Sequence, residues 1–238
     1  MRALVLGFLL SMTLPGFGQP TTPSLGDCLK GYVHDGKVDY AGLRQSRQKE
    51  LRDFAAGLAQ ATPAGLALTQ QIAFWLDAYN GLVVHQIVET GREPSSFRQR
   101  SKFFRGTRYQ VAGRLMTLDE IEHQALRPLA KDPRVHFVLV CGATSCPALR
   151  AESFLSGDLE QTLEKATRDF IRDPKNVALD SQRRTLTLNP IFDWYKEDFG
   201  SVKDFVAKYL DSDQKAALSD GRWSIRYSSY DWSLNQAP

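Results

Sequence analysis

Apolar residues recur at steps of three and four through TPAGLALTQQIAFWLDAYNGLVVHQIVETG, at Ile72, Trp75, Leu76, Tyr79, Val83 and Ile87. That spacing predicts one long amphipathic helix, with Gly91 as its stop. The spacing is also helical over 43–58, after a turn at Asp35-Gly36 and a short extended piece in KVDYAGL. RYQVAGRLMT alternates about Ala112-Gly113, as a small hairpin does. Thr117 and Glu120 then match a capping box, and Arg127-Pro128 is expected to end that helix. RVHFVLVC is short, β-branched and apolar on both faces, the pattern of a buried strand. DLEQTLEKATRDFIRD and SVKDFVAKYL read as helices, NVALDSQRRTLTLNPIF as a hairpin turning over 181–183, and GRWSIRYSSYDWSLN as a last strand. RQRSKFFRGTR reads as a solvated basic loop, with an anion-binding rim as the sharper reading. About five helices and five short strands predict an α+β single domain, its helices packed on a small, mostly antiparallel sheet.

Composition narrows this picture only at the N-terminus. The chain has 238 residues, 42% of them hydrophobic, and a net charge of +3, too small to argue for nucleic acid. Arg2, an apolar run from Ala3 to Leu14 and small residues at Gly16 and Gly18 follow the layout of a secretory signal peptide. The expected organisation is a signal peptide over 1–18, a Pro/Thr-rich linker over 19–27 and one domain over 28–235. Export implies a periplasmic or secreted protein with no stable membrane insertion after signal removal. It also places Cys28, Cys141 and Cys146 in an oxidising compartment.

The chemistry concentrates in HFVLVCGATSCPALR. On a strand, His136, Val138 and Val140 would share one face, and Cys141 would take the other. Gly142 permits a sharp exit, and Pro147 suits the first turn of a helix, which would put Ser145 or Cys146 at a helix N-terminus. A thiolate there has a lowered pKa. Three readings stand: two small buried hydrophobes, a Cys141–Cys146 disulfide, or a Cys146 nucleophile with a histidine base. The spacing does not fit a structural zinc site, so no metal is expected, and no cofactor is called for. His34 reads as solvated. His85 follows Asn80 by five positions. His123 has Asp119 and Glu120 near it, and His136 begins the cysteine segment, which makes these two the better candidates.

FWLDAYNGLVVHQIV, MTLDEIEHQALR, DPRVHFVLVCGATSCPALR, FDWYKEDFG and YDWSLN together resemble the domain-of-unknown-function 547 family, in order from about Val38 to Asn235. The resemblance implies shared polar positions at Trp75, Asp77, Tyr79, Asn80, His85, Glu122, His123, Arg127, His136, Cys141, Ser145, Cys146 and Pro147. Family members often carry Asn where this chain has Asp77. The resemblance implies no activity, and it leaves Cys28 outside the motifs. Trp194, Tyr195 and Phe199 read as a packing stripe, and Asp231 as a tie from the last strand to the core.

Two functions stay open. One is a thiol-dependent acyl transferase or hydrolase with Cys146 as nucleophile, His123 or His136 as base and Asn80 orienting or stabilising an oxyanion. In the other, a Cys141–Cys146 disulfide lies in a non-catalytic binding or interaction domain. Tyr79, Ser145 and Arg127 are binding candidates in either case. The ligand would be a small molecule or peptide.

Overall fold

The computed structural model describes residues 22–91 and 96–237. The expected signal peptide lies outside the described residues. The stretch expected as a linker is described from residue 22 on. Ser24 caps a short helix, α1 (Leu25–Leu29), whose Leu25 and Leu29 are buried.

The chain then makes a hairpin, β1 (Val33–His34) and β2 (Lys37–Val38), and two helices, α2 (Tyr40–Ser46) and α3 (Gln48–Gly57). The central element is α4 (Leu68–Thr90), buried along most of its length. Gly91 ends it in the left-handed conformation, φ 64°, a region glycine enters without a Cβ clash. The basic stretch expected as a loop is instead a helix, α5 (Phe97–Arg105). Ser96 and Gln99 cap its start reciprocally, and Phe103 is buried, so one apolar anchor and a capping box outweigh the basic composition. The hairpin β3 (Tyr109–Val111) and β4 (Arg114–Met116) turns at Ala112-Gly113 as its alternation predicts.

Thr117 caps α6 (Leu118–Glu120) as expected. The helix does not stop at Arg127-Pro128. It runs through wide π turns over Ile121–Leu126 into α7 (Arg127–Ala130). Pro128 falls in the first turn of that last segment, where its missing N–H matters least.

The predicted strand RVHFVLVC is not a strand. Pro133–Phe137 form a 3-10 turn, and 138–141 run on without a strand partner. The physical reason is Asn80 on α4. Its Nδ2 donates to the Val138 carbonyl at 2.9 Å, and its Oδ1 accepts the Val140 N–H at 3.0 Å. A buried side-chain amide takes the place of the neighbouring strand, so the apolar run is buried without joining a sheet. The alternating-face argument for His136 and Cys141 falls with the strand.

After α8 (Leu159–Arg172), β5 (Val177–Asp180) and β6 (Thr185–Leu188) pair antiparallel. Four short helices follow: α9 (Ile191–Trp194), α10 (Lys196–Phe199), α11 (Val202–Ala207) and α12 (Ser212–Ser219). The last strand, β7 (Ser224–Tyr227), joins β6 in parallel. The α+β class holds, with the strands divided among three small sheets rather than one.

The interior has two apolar clusters. One surrounds α4, and the other gathers Phe137, Phe170, Phe192, Phe199 and Phe205. Val135 and Val138 belong to the first cluster and Phe137 to the second, so the cysteine-bearing segment runs along the seam between them. The C-terminal residues close the seam. Asn235 accepts from the Tyr40 hydroxyl at 2.8 Å, and its N–H donates to the Gly142 carbonyl at 2.9 Å.

Candidate functional site

A cleft of about 280 Å³ opens where the cysteine segment, α5, the π turns and α9 meet. Its walls are uneven in chemistry. Trp194, Tyr230 and Trp232 form an aromatic side, with ring centroids 4.6 to 5.8 Å apart. Arg100 of α5 sits over the Trp232 ring at 4.2 Å. The polar floor is Tyr79, Glu122, His123, His136 and Tyr195.

His136 is the most constrained of these. Its Nε2 lies 2.7 Å from Asp198 Oδ2, and Asp198 also takes a bidentate pair from Arg127 at 2.8 Å on each oxygen. An ionised carboxylate only accepts, so Nε2 carries the proton and Nδ1 is the bare lone pair. Tyr195 stacks on the ring, centroids 3.9 Å apart. Burial depresses the His136 pKa to about 4 against the opposing pull of Asp198, so the ring is neutral near neutral pH. Burial works against the Asp198 carboxylate, but Arg127 and His136 together outweigh it and hold its pKa below the usual range.

Glu122 is 5% exposed, and burial raises its pKa from the ordinary value. The Tyr79 and Tyr195 hydroxyls lie beside it. Burial first, and the Glu122 charge second, push both phenols well above their ordinary pKa. Among the described residues, Glu122 Oε1 and His136 Nδ1 are buried atoms with no hydrogen-bond partner. Each such atom costs about 1–3 kcal/mol until something satisfies it.

Cys141 and Cys146 form a disulfide, with Cα atoms 6.2 Å apart, and both line the cleft. Gly142 turns the chain at φ 79°, and the side chain of Ile87 leaves no room there for a Cβ. No helix follows Pro147, so neither Ser145 nor Cys146 stands at a helix N-terminus. The loop closes on itself through Cys146 N–H to the Ala143 carbonyl, and ties to the C-terminal segment instead.

The structure gathers some sequence candidates and separates others. Tyr79, His123, His136 and Cys146 line the cleft. Asn80 does not. It lies behind the wall, fully engaged with Val138 and Val140. Ser145 faces a second cavity of about 710 Å³, and its Oγ accepts the Asp231 N–H at 2.9 Å. Arg127 is a supporting cation, bound to Asp198 and Glu197. It also donates to His123 Nδ1 at 2.7 Å, which places the His123 proton on Nε2. Glu120 does not orient His123. It caps Thr117, while Asp119 stands 3.8 Å from His123 Nε2. His85 sits apart, half-buried beside Tyr109. Asp77 is buried and accepts from the Ser153 hydroxyl and the Phe154 N–H, a tie between α4 and the segment ahead of α8.

Four further residues, Asp198, Tyr195, Tyr230 and Trp232, were missed as functional candidates. Their motifs, FDWYKEDFG and YDWSLN, were in view as packing elements. Only Phe199 of the supposed stripe is fully buried. Trp194 is 46% exposed on the cleft wall. Asp231 is exposed and bonds to the Ser233 N–H rather than to the core.

Residues 63–171 match the family model described as "Protein of unknown function, DUF547", and the chain resembles that family. The matched span holds α4, the π turns and the disulfide loop. It ends before Tyr195, Asp198 and Tyr230, so it is shorter than the span over which the motifs suggested the likeness. No curated protein and no solved structure matches the chain. Among the described residues, no helix is long and apolar enough to cross a membrane, and no group of three or more His, Cys, Asp or Glu could hold a metal ion.

Proposed function

We propose that this chain is a ligand-binding domain, and that its cleft takes a small neutral molecule with a flat apolar face and hydrogen-bond donors at its edge. An aromatic amide and a sugar ring share that chemistry. One observation carries the reading. Two buried acceptors without partners, Glu122 Oε1 and His136 Nδ1, belong to residues lining the same cleft as Trp194, Tyr230 and Trp232. The aromatic side offers stacking area, and the two orphan atoms lie closed to solvent under the floor, where a ligand donor would satisfy them once the floor side chains shift. Of the arginines lining the cleft, Arg105 pairs with Asp119 and Arg100 lies over the Trp232 ring.

The test is a thermal-shift and ligand-observed NMR screen of the full chain against a panel of methyl glycosides and aromatic amides. At least one member should bind, and Trp194→Ala or Trp232→Ala should weaken it about tenfold or more, as lost stacking implies. A panel that fails to bind, or binding indifferent to both substitutions, refutes the reading.

A hydrolytic reading has one observation in its favour, the Asp198-held His136 with a bare Nδ1, which is the arrangement of a general base. Water would be the attacking group, because the Cys146 sulfur is bonded to Cys141 and is no free nucleophile here. Turnover of p-nitrophenyl acetate above the buffer rate, lost in His136→Gln, would favour it. Export remains part of the proposal. It predicts a mature N-terminus near residue 19 in protein taken from its host.

A further inference from the structure

We infer that the Cys141–Cys146 pair is a redox-active disulfide that oxidises thiol compounds entering the cleft. The inference rests on the cleft admitting a ligand, but not on the identity of the ligand proposed above.

Three observations point the same way. Both cysteines are only half-buried and line the cleft that a substrate thiol would enter. Donors reach both sulfurs, and one donor singles out Cys146. The Tyr230 hydroxyl lies 3.2 Å from Cys141 Sγ and 3.3 Å from Cys146 Sγ. The Cys141 N–H donates to Cys146 Sγ alone, at 2.8 Å. Donors aimed at a sulfur stabilise its thiolate, so Cys146 is the better leaving group. Finally, the loop is held without its covalent bond. Thr144 N–H donates to the Ser233 carbonyl, Ser145 N–H to the Asp231 carbonyl, and Asn189 Nδ2 to the Ser145 carbonyl. Reduction therefore leaves the two sulfurs in place to re-form the bond.

The exchange balances without another reagent. A substrate thiolate attacks Cys141 Sγ, an S–S bond forms between them, and the Cys141–Cys146 bond breaks to release the Cys146 thiolate. A second substrate thiolate attacks the substrate sulfur of that mixed disulfide and releases the Cys141 thiolate. Two substrate thiols lose two electrons and become one disulfide. The cysteine pair gains both electrons and takes up the two protons.

The experiment uses the full chain with reduced glutathione and dithiothreitol as probes. The native disulfide should be reduced without denaturant. Once reduced, Cys146 should be alkylated by iodoacetamide faster than Cys141, by mass mapping, with a half-rate pH below about 8.5, the free-thiol value. Tyr230→Phe should raise that pH and slow reduction by about threefold or more. The double variant Cys141→Ala/Cys146→Ala should keep its fold and lose the exchange, which guards against misreading an unfolded Tyr230 variant. A disulfide that resists both probes until the chain unfolds, or a double variant that does not fold, overturns the inference. Either result would leave the glycoside and amide binding data untouched, so failure here is separable from failure of the binding proposal.

Discussion

Replacing Asn80 by alanine removes the one side chain that stands in for a strand beside the cysteine segment. Asn80, Val138 and Val140 are 1%, 2% and 2% exposed, so no water replaces the two lost hydrogen bonds. A buried backbone carbonyl and a buried N–H are left unpaired, at about 1–3 kcal/mol each. Alanine recovers several tenths of a kcal/mol in helix propensity within α4. The net loss is about 2–5 kcal/mol, or roughly 4–20 °C in Tm for a chain of this size. Thermal melts and urea titrations on the full chain measure it. Asn80→Asp sharpens the test. It keeps an acceptor for Val140 but sets an oxygen against the Val138 carbonyl and buries a charge, so it should be at least as harmful as alanine. A Tm change under about 2 °C for Asn80→Ala would refute the reasoning, because two unpaired buried groups cannot cost so little.

His136 gives a pH signature. Its folded pKa is about 4 against an ordinary 6.5, so below neutrality the unfolded chain binds the proton first and stability falls with pH. Between pH 7 and pH 5 the wild type should lose about 2 kcal/mol more than His136→Gln does in denaturant titrations. Glu122 acts with the opposite sign. Its raised pKa means the folded state holds the proton longer as pH rises, so Glu122→Gln should remove a stability loss that begins above the ordinary 4.5 and is complete once pH has passed the folded pKa. Asp198→Asn keeps one acceptor but removes the charge and sets an NH2 against Arg127 or His136, so it should destabilise by about 2–4 kcal/mol in the same titrations. Cys28 is buried, and burial pushes its thiol up to about 12, so it should resist iodoacetamide in the folded chain at pH 8 and react only on unfolding.

The local rules read well wherever a local signal decides the structure. The spacing of α4, the Gly91 stop, the Thr117 capping box and the Ala112-Gly113 hairpin needed no distant partner. The failures around the cysteine segment share one cause. RVHFVLVC has strand composition, but strands need neighbours, and the partner it found was an amide some 58 residues away on a helix. The predicted helix after Pro147 failed because the loop is tied to Ser233 and Asp231, contacts no local pattern announces. The site was half legible. Tyr79, His123, His136 and the cysteine pair stood out as chemistry-bearing residues in motifs. Asp198 and Tyr230 were hidden because their roles exist only through contacts spanning 62 residues to His136 and 84 to Cys146.

The most direct test of the cleft as a binding site is a crystal of the full chain grown with a methyl glycoside or an aromatic amide from the panel. The account predicts density for its flat face against Trp194, Tyr230 and Trp232, with a donor within hydrogen-bond distance of Glu122 or His136. Density elsewhere on the surface, or an empty cleft at saturating ligand, would contradict it.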